Sequence, residues 1–244
     1  MKLDPLPSKE NTDDWQQLLI NSDLMVQDND RDRVYVTVVG LLLYGLRPNR
    51  NLPQAGVTAV VFPDKEKEYT TIDEEIIRGP LTPMKNKDGD IIELGVIDQS
   101  IDFVNRNLPS IAWIDGGIRR IEKALPIDAV REAIVNAVTH RDYMREGTDI
   151  EISMYSDRLE VISPGGLPNG VTVKKIEKGI IRVARNEMLK DILRDYGYVE
   201  HFGLGVRLRI IRLMMEHNQL EPEFISDEDR FSVCLRFRPG LRGN

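Results

Sequence analysis

Glu132, Asn136 and His140 lie in the stretch PIDAVREAIVNAVTHRDY (126–143), and their types and spacing are ones that chemistry can use. On a helix, positions i, i+4 and i+8 stack along one stripe. A carboxylate can act as a base or orient a water molecule, and an amide oxygen can ligate a hard cation such as Mg²⁺. The imidazole of His140 fits the rim, holding a neighbour by hydrogen bond. A three-ligand transition-metal site does not fit, because the stripe spreads these groups over ~12 Å on a straight helix and Asn is a poor zinc or iron ligand. Read alone, the stripe also has the composition of a solvated helix face; the rest of the chain decides between the two.

The elements that must position the stripe are legible from pattern. Pro126 suits a first helical turn, since its φ is already near the helical value. Val130, Ala133, Ile134, Ala137 and Val138 fall on one side at helical spacing. Thr148–Met154 alternates apolar and polar residues and predicts a strand, and Leu159–Ser163 pairs back across a turn at 156–158 as a hairpin. The loop SPGGLPNG (163–170) follows, whose glycines permit φ > 0 and close approach of a ligand to backbone. Val173–Lys178 and Asn186–Tyr196 have helical spacing. Gly203-Leu204-Gly205 then opens another helical run, Val206–His217, and a glycine turn at a helix start offers free N–H groups to an anion. Phe231–Phe237 predicts a closing strand, with Cys234 as a small core residue.

The first half of the chain carries less chemistry. Residues 1–33 read as an arm or linker holding a short helix over Asp13–Met25 and a charged turn over Asp28–Arg33. Val34–Leu46 is strongly apolar and predicts a buried helix beginning near Thr37, which can cap it; a strand is the rival reading. Val57–Phe62 and Tyr69–Ile77 read as strands, KNKDGD (85–90) as a turn, Asp98–Asn107 as a helix and Ser110–Leu125 as mostly extended. Residues 34–110 are expected to form a smaller N-terminal α+β subdomain, and 111–244 a second domain.

Composition narrows the function classes. A formal net charge of -7 argues against this chain wrapping a nucleic-acid backbone by itself. The single cysteine forbids an internal disulfide and points to a reducing, cytoplasmic home. No apolar run approaches the ~20 residues of a membrane span. With three histidines and one cysteine, a structural zinc site is not expected.

The ordered set of a Glu/Asn helix, a hairpin ending in a glycine-rich loop and a Gly-x-Gly turn opening a helix resembles the ATP-binding fold of the GHKL group (gyrase, heat-shock chaperone, histidine kinase, MutL). More closely, REAIVNAVTHRDY (131–143), DRLEVISPGGLP (157–168), RNEML (185–189) and YVEHFGLGVRLRI (198–210) resemble a divergent branch of RecG-related proteins described as helicases or transcriptional regulators. VTVVGLLLYGLRPNRNLPQAG (36–56) is similar to the middle region of the same family. Its members commonly begin with an AlbA-like, Schlafen-type domain thought to touch nucleic acid, and nothing before Val34 is long enough to be one.

The resemblance implies a two-layer α/β sandwich of Bergerat (GHKL ATPase) type, α+β in class, preceded by the smaller α+β part. It implies ATP and Mg²⁺ as cofactors, with Asn136 as the metal ligand and Glu132 as the catalytic group that activates water. Gly165 and Gly166 would admit the adenine side to the loop, Gly203 and Gly205 would present N–H groups to phosphates, and His140 would stand beside the nucleotide. Ser163 occupies the place of the adenine-contacting Asp and Leu167 that of the second loop glycine; Ser lacks the charged, water-bridging capacity of a carboxylate. The lid between the two glycine motifs is short. No G-x-x-x-x-G-K-[ST] phosphate loop is present, so the helicase description does not carry over. Two functions follow as expectations: a nucleotide-binding ATPase module of a DNA-associated regulator, or a non-catalytic regulatory or dimerisation module that keeps the fold. Weak nucleic-acid binding by this chain, no membrane partner and a homo-oligomer are expected with either.

Overall fold

A computed structural model describes residues 11–115, 118–180, 183–199 and 205–237. In chain order it contains α1 (Thr12–Asn21), β1 (Met25–Asp28), β2 (Arg33–Val36), α2 (Val38–Tyr44), β3 (Val57–Val61), β4 (Asp73–Ile77), β5 (Met84–Lys85), β6 (Ile91–Glu93) and α3 (Val96–Asn107). Then follow β7 (Ser110–Asp115), β8 (Ile118–Lys123), α4 (Ile127–His140), β9 (Ile150–Met154), β10 (Arg158–Pro164), α5 (Val173–Glu177) and α6 (Glu187–Asp195). A π-helical stretch, Val206–Ile211, runs into α7 (Arg212–Asn218), and β11 (Glu223–Ser226) and β12 (Arg230–Arg236) close the chain.

Six strands form one mixed sheet in the order β11-β12-β10-β9-β3-β4. Every neighbouring pair is antiparallel except β3 and β9, which run parallel. Because side chains alternate across a strand, register decides the core. Ala59, Ile152, Val161 and Val233 line up across four strands, as do Val61, Met154, Leu159 and Leu235, and all are buried. The opposite face carries Lys67 paired with Glu151 and Arg158 paired with Glu160. One face is thus covered and the other solvated, which gives the two-layer sandwich expected from the sequence. The expected boundary after residue 110 falls just inside the start of β7, and the six-stranded sheet takes strands from both sides of it.

The central helix is fixed by its apolar stripe. Val130, Ala133, Ile134, Ala137 and Val138 are all buried in the core, joined by Ala129, and Phe103 and Val104 of α3 belong to the same cluster. In the N-terminal half, Thr37 caps α2 as expected, its hydroxyl oxygen accepting the Gly40 N–H at 3.1 Å. The apolar segment around it divides: β2 ends at Val36 and the helix begins at Val38. It is less buried than its composition implies. Leu42 and Leu43 enter the core while Tyr44 stays 54% exposed, because a seven-residue helix can turn only one side inward; Val36 and Leu46, on either side of the helix, are 51% and 72% exposed.

Candidate functional site

The last four carbonyls of a helix have no partner within it. In α4 all four are met by side chains from elsewhere. The Ser163 hydroxyl donates to Ala137 O (2.8 Å), the Tyr143 hydroxyl to Val138 O (3.1 Å), Asn186 Nδ2 to Thr139 O (2.9 Å) and Arg185 Nε to His140 O (3.1 Å). Asn186 also reaches Arg141 O at 2.9 Å. The RNEML segment therefore has a physical role that its spacing in sequence conceals: it caps α4 and holds the end of the helix against the loop after β10. Arg185 extends the latch, donating to Gly166 O and lying 3.4 Å from the Asp142 carboxylate.

That latch builds one concave pocket. Glu132, Asn136, Thr139 and His140 form its α4 wall; Ser163, Gly165 and Gly166 contribute from the end of β10 and its loop; Gly205 closes it at the start of the π-helical stretch. Val135, Leu167, Val199, Val206 and Phe231 make its apolar lining, and Lys190 of α6 enters it as well. The sequence-derived residues Glu132, Asn136, His140, Ser163, Gly165, Gly166 and Gly205 are thus brought together. Gly203 lies outside the described residues.

Within the pocket, Asn136 Nδ2 donates to both the backbone oxygen and Oε1 of Glu132, each at 2.8 Å. Its N–H donors are spent on Glu132, which leaves the amide oxygen as the polar atom of this side chain without a hydrogen bond among the described residues. A β-carbon on Gly205 would stand 1.8 Å from Glu132 Oε1, so the absence of a side chain there is what admits the carboxylate. Among the described residues no group of three or more His, Cys, Asp or Glu could hold a metal. The side-chain oxygens on this wall that could face a cation are those of Asn136 and Glu132, with oxygens of the cation's own ligand completing its shell, the manner in which Mg²⁺ accompanies phosphates.

The loop glycines are explained by the protein itself. Gly165 has φ +98°, and a β-carbon on it would lie 2.5 Å from Cβ of Asp142; one on Gly166 would lie 2.1 Å from the backbone oxygen of Asp227. The two glycines are wedged between the 142 and 227–229 loops, with the Gly165 N–H donating to Asp229 O and the Asp142 N–H to Pro164 O. Ser163 lines the pocket but is only 3% exposed, and its proton goes to Ala137.

His140 is more than a rim residue. Its Nδ1 accepts the Arg185 N–H at 3.4 Å. Burial, and then the nearby Lys190 and Arg185 cations, push its pKa down to about 4. The ring is therefore neutral near pH 7, with its proton on Nε2. Thr139, one residue earlier, is 2% exposed and its hydroxyl has no hydrogen-bond partner. The sequence reading did not single out Thr139, Arg185, Asn186 or Lys190; only the RNEML motif pointed near them.

Residues 147–235 match the family described as "Putative ATP-dependent DNA helicase recG C-terminal", so that stretch is similar to the ATPase-like domain of the RecG C-terminal type, as the motifs implied. The match takes in the glycine-rich loop, RNEML and Gly205; the helix with Glu132 and Asn136 precedes it. Among solved structures, the DIP2311 protein from Corynebacterium diphtheriae is similar in fold, with a TM-score of 0.66 and 22% identity over 96% of this chain. This chain covers 43% of that one. Among curated proteins, no relative matches. No helix among the described residues is long and apolar enough to cross a membrane.

Proposed function

We propose that the pocket binds a magnesium nucleotide, ATP in the first instance, and hydrolyses it slowly, as the nucleotide-binding module of a DNA-associated regulator. The observation that carries this reading is the convergence of Glu132, Asn136, Ser163, Gly165 and Gly205, spread over 74 positions, on one concavity. A solvated helix face requires no such convergence. Asn136 would hold the metal through its amide oxygen, and Glu132 would orient or deprotonate water. Gly205 and Gly203 would offer N–H groups to phosphate oxygens at a helix start. Magnesium, when bound, supplies charge neutralisation and polarises the phosphoryl group. Calorimetric titration with Mg·ATP, followed by phosphate release, tests the proposal. Binding lost in Asn136→Ala and turnover lost in Glu132→Ala with binding retained are the expected results.

One observation favours a second reading. The residue in the place of the base-contacting Asp has given its only proton to Ala137, and Leu167 stands where a second glycine is usual. A regulatory or dimerisation module that keeps the pocket without turnover would look the same; it predicts binding with no phosphate release. For either reading we propose weak retention on duplex DNA at moderate salt, since a net charge of -7 leaves few phosphates that the chain could neutralise. A homo-oligomer is proposed by analogy of fold alone, with sedimentation as its test.

A further inference from the structure

Lys190 has no place in that account. It lies on α6 (EMLKDILRD), a helix whose apolar residues Leu189 and Leu193 are buried, and its side chain is only 20% exposed. The chain leads into the pocket. Its ammonium has one ionic neighbour among the described residues, Glu187, at 3.7 Å, which is beyond hydrogen-bond distance. Glu187 is itself turned to solvent and to the Ala184 N–H. A lysine carries three N–H donors, and this largely covered side chain has no acceptor within hydrogen-bond distance among the described residues.

The surroundings say what acceptor is missing. His140, close enough for the Lys190 charge to lower its pKa, spends Nδ1 on Arg185 and so presents an N–H at Nε2. The hydroxyl of Thr139 is unpartnered on the same wall. Of the carboxylates, only Glu132 lines the pocket among the described residues, two helical turns away along α4. The His140 end of the pocket is therefore rich in donors, and the one carboxylate that acts on it, Glu187, is turned to solvent and does not line the pocket.

We infer that Lys190, beside His140, donates to an oxygen of the bound ligand at the C-terminal end of α4, so that the ligand presents a carbonyl or phosphoryl oxygen there. This rests on the pocket being a nucleotide site and adds a specificity-determining residue to it. A part-buried ammonium-to-oxygen bond corresponds to about a tenfold to hundredfold change in Kd. The test is calorimetric titration of the wild type, Lys190→Met, Lys190→Arg and Asn136→Ala with Mg·ATP, Mg·ITP and Mg·tripolyphosphate, with thermal melts to confirm that each variant is folded. Lys190→Met is expected to bind at least tenfold more weakly, with Lys190→Arg closer to wild type. A loss confined to ITP identifies the carbonyl of a 6-oxopurine; an equal loss for all three ligands identifies a phosphoryl oxygen. If Asn136→Ala weakens binding and a folded Lys190→Met does not, the inference is overturned while the nucleotide reading stands. If the wild type binds none of the three ligands, both fall.

Discussion

Glu132 and Gly205 meet across 73 positions of sequence: any β-carbon on Gly205 would overlap the Glu132 carboxylate, at 1.8 Å from Oε1 and 2.5 Å from Cδ. Gly205 has ordinary helical backbone angles, φ -53° and ψ -50°, so alanine is not strained there. The clash is with the end of a side chain and can be relieved by moving it. Gly205→Ala should then cost no more than ~1 kcal/mol in a melt. It should displace the carboxylate and lower phosphate release more than nucleotide affinity.

Gly165 contrasts with it. At φ +98° and 2.5 Å from Cβ of Asp142, an added methyl group meets both backbone strain and a packed neighbour. Gly165→Ala should destabilise the ligand-free protein by roughly 1–3 kcal/mol in urea unfolding. If instead it leaves stability unchanged and weakens only ligand binding, the glycine serves ligand approach rather than packing.

Asn186 bridges two carbonyls at the end of α4 with its amide. Asn186→Ala removes both donors and should cost roughly 1–3 kcal/mol. Asn186→Asp should cost more, because a carboxylate then faces Thr139 O and Arg141 O. Denaturant midpoints for the two variants give the comparison.

His140 makes stability depend on pH with a definite sign. Its folded-state pKa, about 4, lies below the ordinary 6.5, owing first to burial and then to Lys190 and Arg185, with Glu187 acting in the opposite direction. Between those values the unfolded chain binds the proton more readily. Stability is therefore unaffected by this group above pH 6.5 and falls as pH drops toward 4, by about 3 kcal/mol at most. Unfolding free energies at pH 7, 5.5 and 4.5 should show the decline, and His140→Gln should flatten it.

Much of this could be read from the residues. The buried stripe of α4, the β9–β10 hairpin and β12 follow from periodicity, since each is a local pattern. The convergence of the Glu/Asn stripe with the two glycine motifs followed from family resemblance and not from spacing. What escaped depends on partners distant in sequence. The parallel pairing of β3 with β9 leaves no local signal. Capping by Arg185 and Asn186 joins residues 45 and 47 positions from the carbonyls they serve. Lys190 is one charge among several on an amphipathic helix until the fold turns it into the pocket. Ser163 reads as a substitution at a ligand contact, whereas the structure gives it a donor's role at the end of α4.

The most direct test of the central claim is the affinity of Mg·ATP for the wild type and for Asn136→Ala, measured by calorimetry on folded protein. Asn136 is held by Glu132 through its amide nitrogen, so removing it should take away the proposed metal ligand without opening the core. The account predicts saturable binding by the wild type and a loss of at least tenfold in Asn136→Ala, with the difference between the two proteins abolished when magnesium is omitted. Equal affinities in the two proteins, or no binding by the wild type at millimolar Mg·ATP, would contradict it.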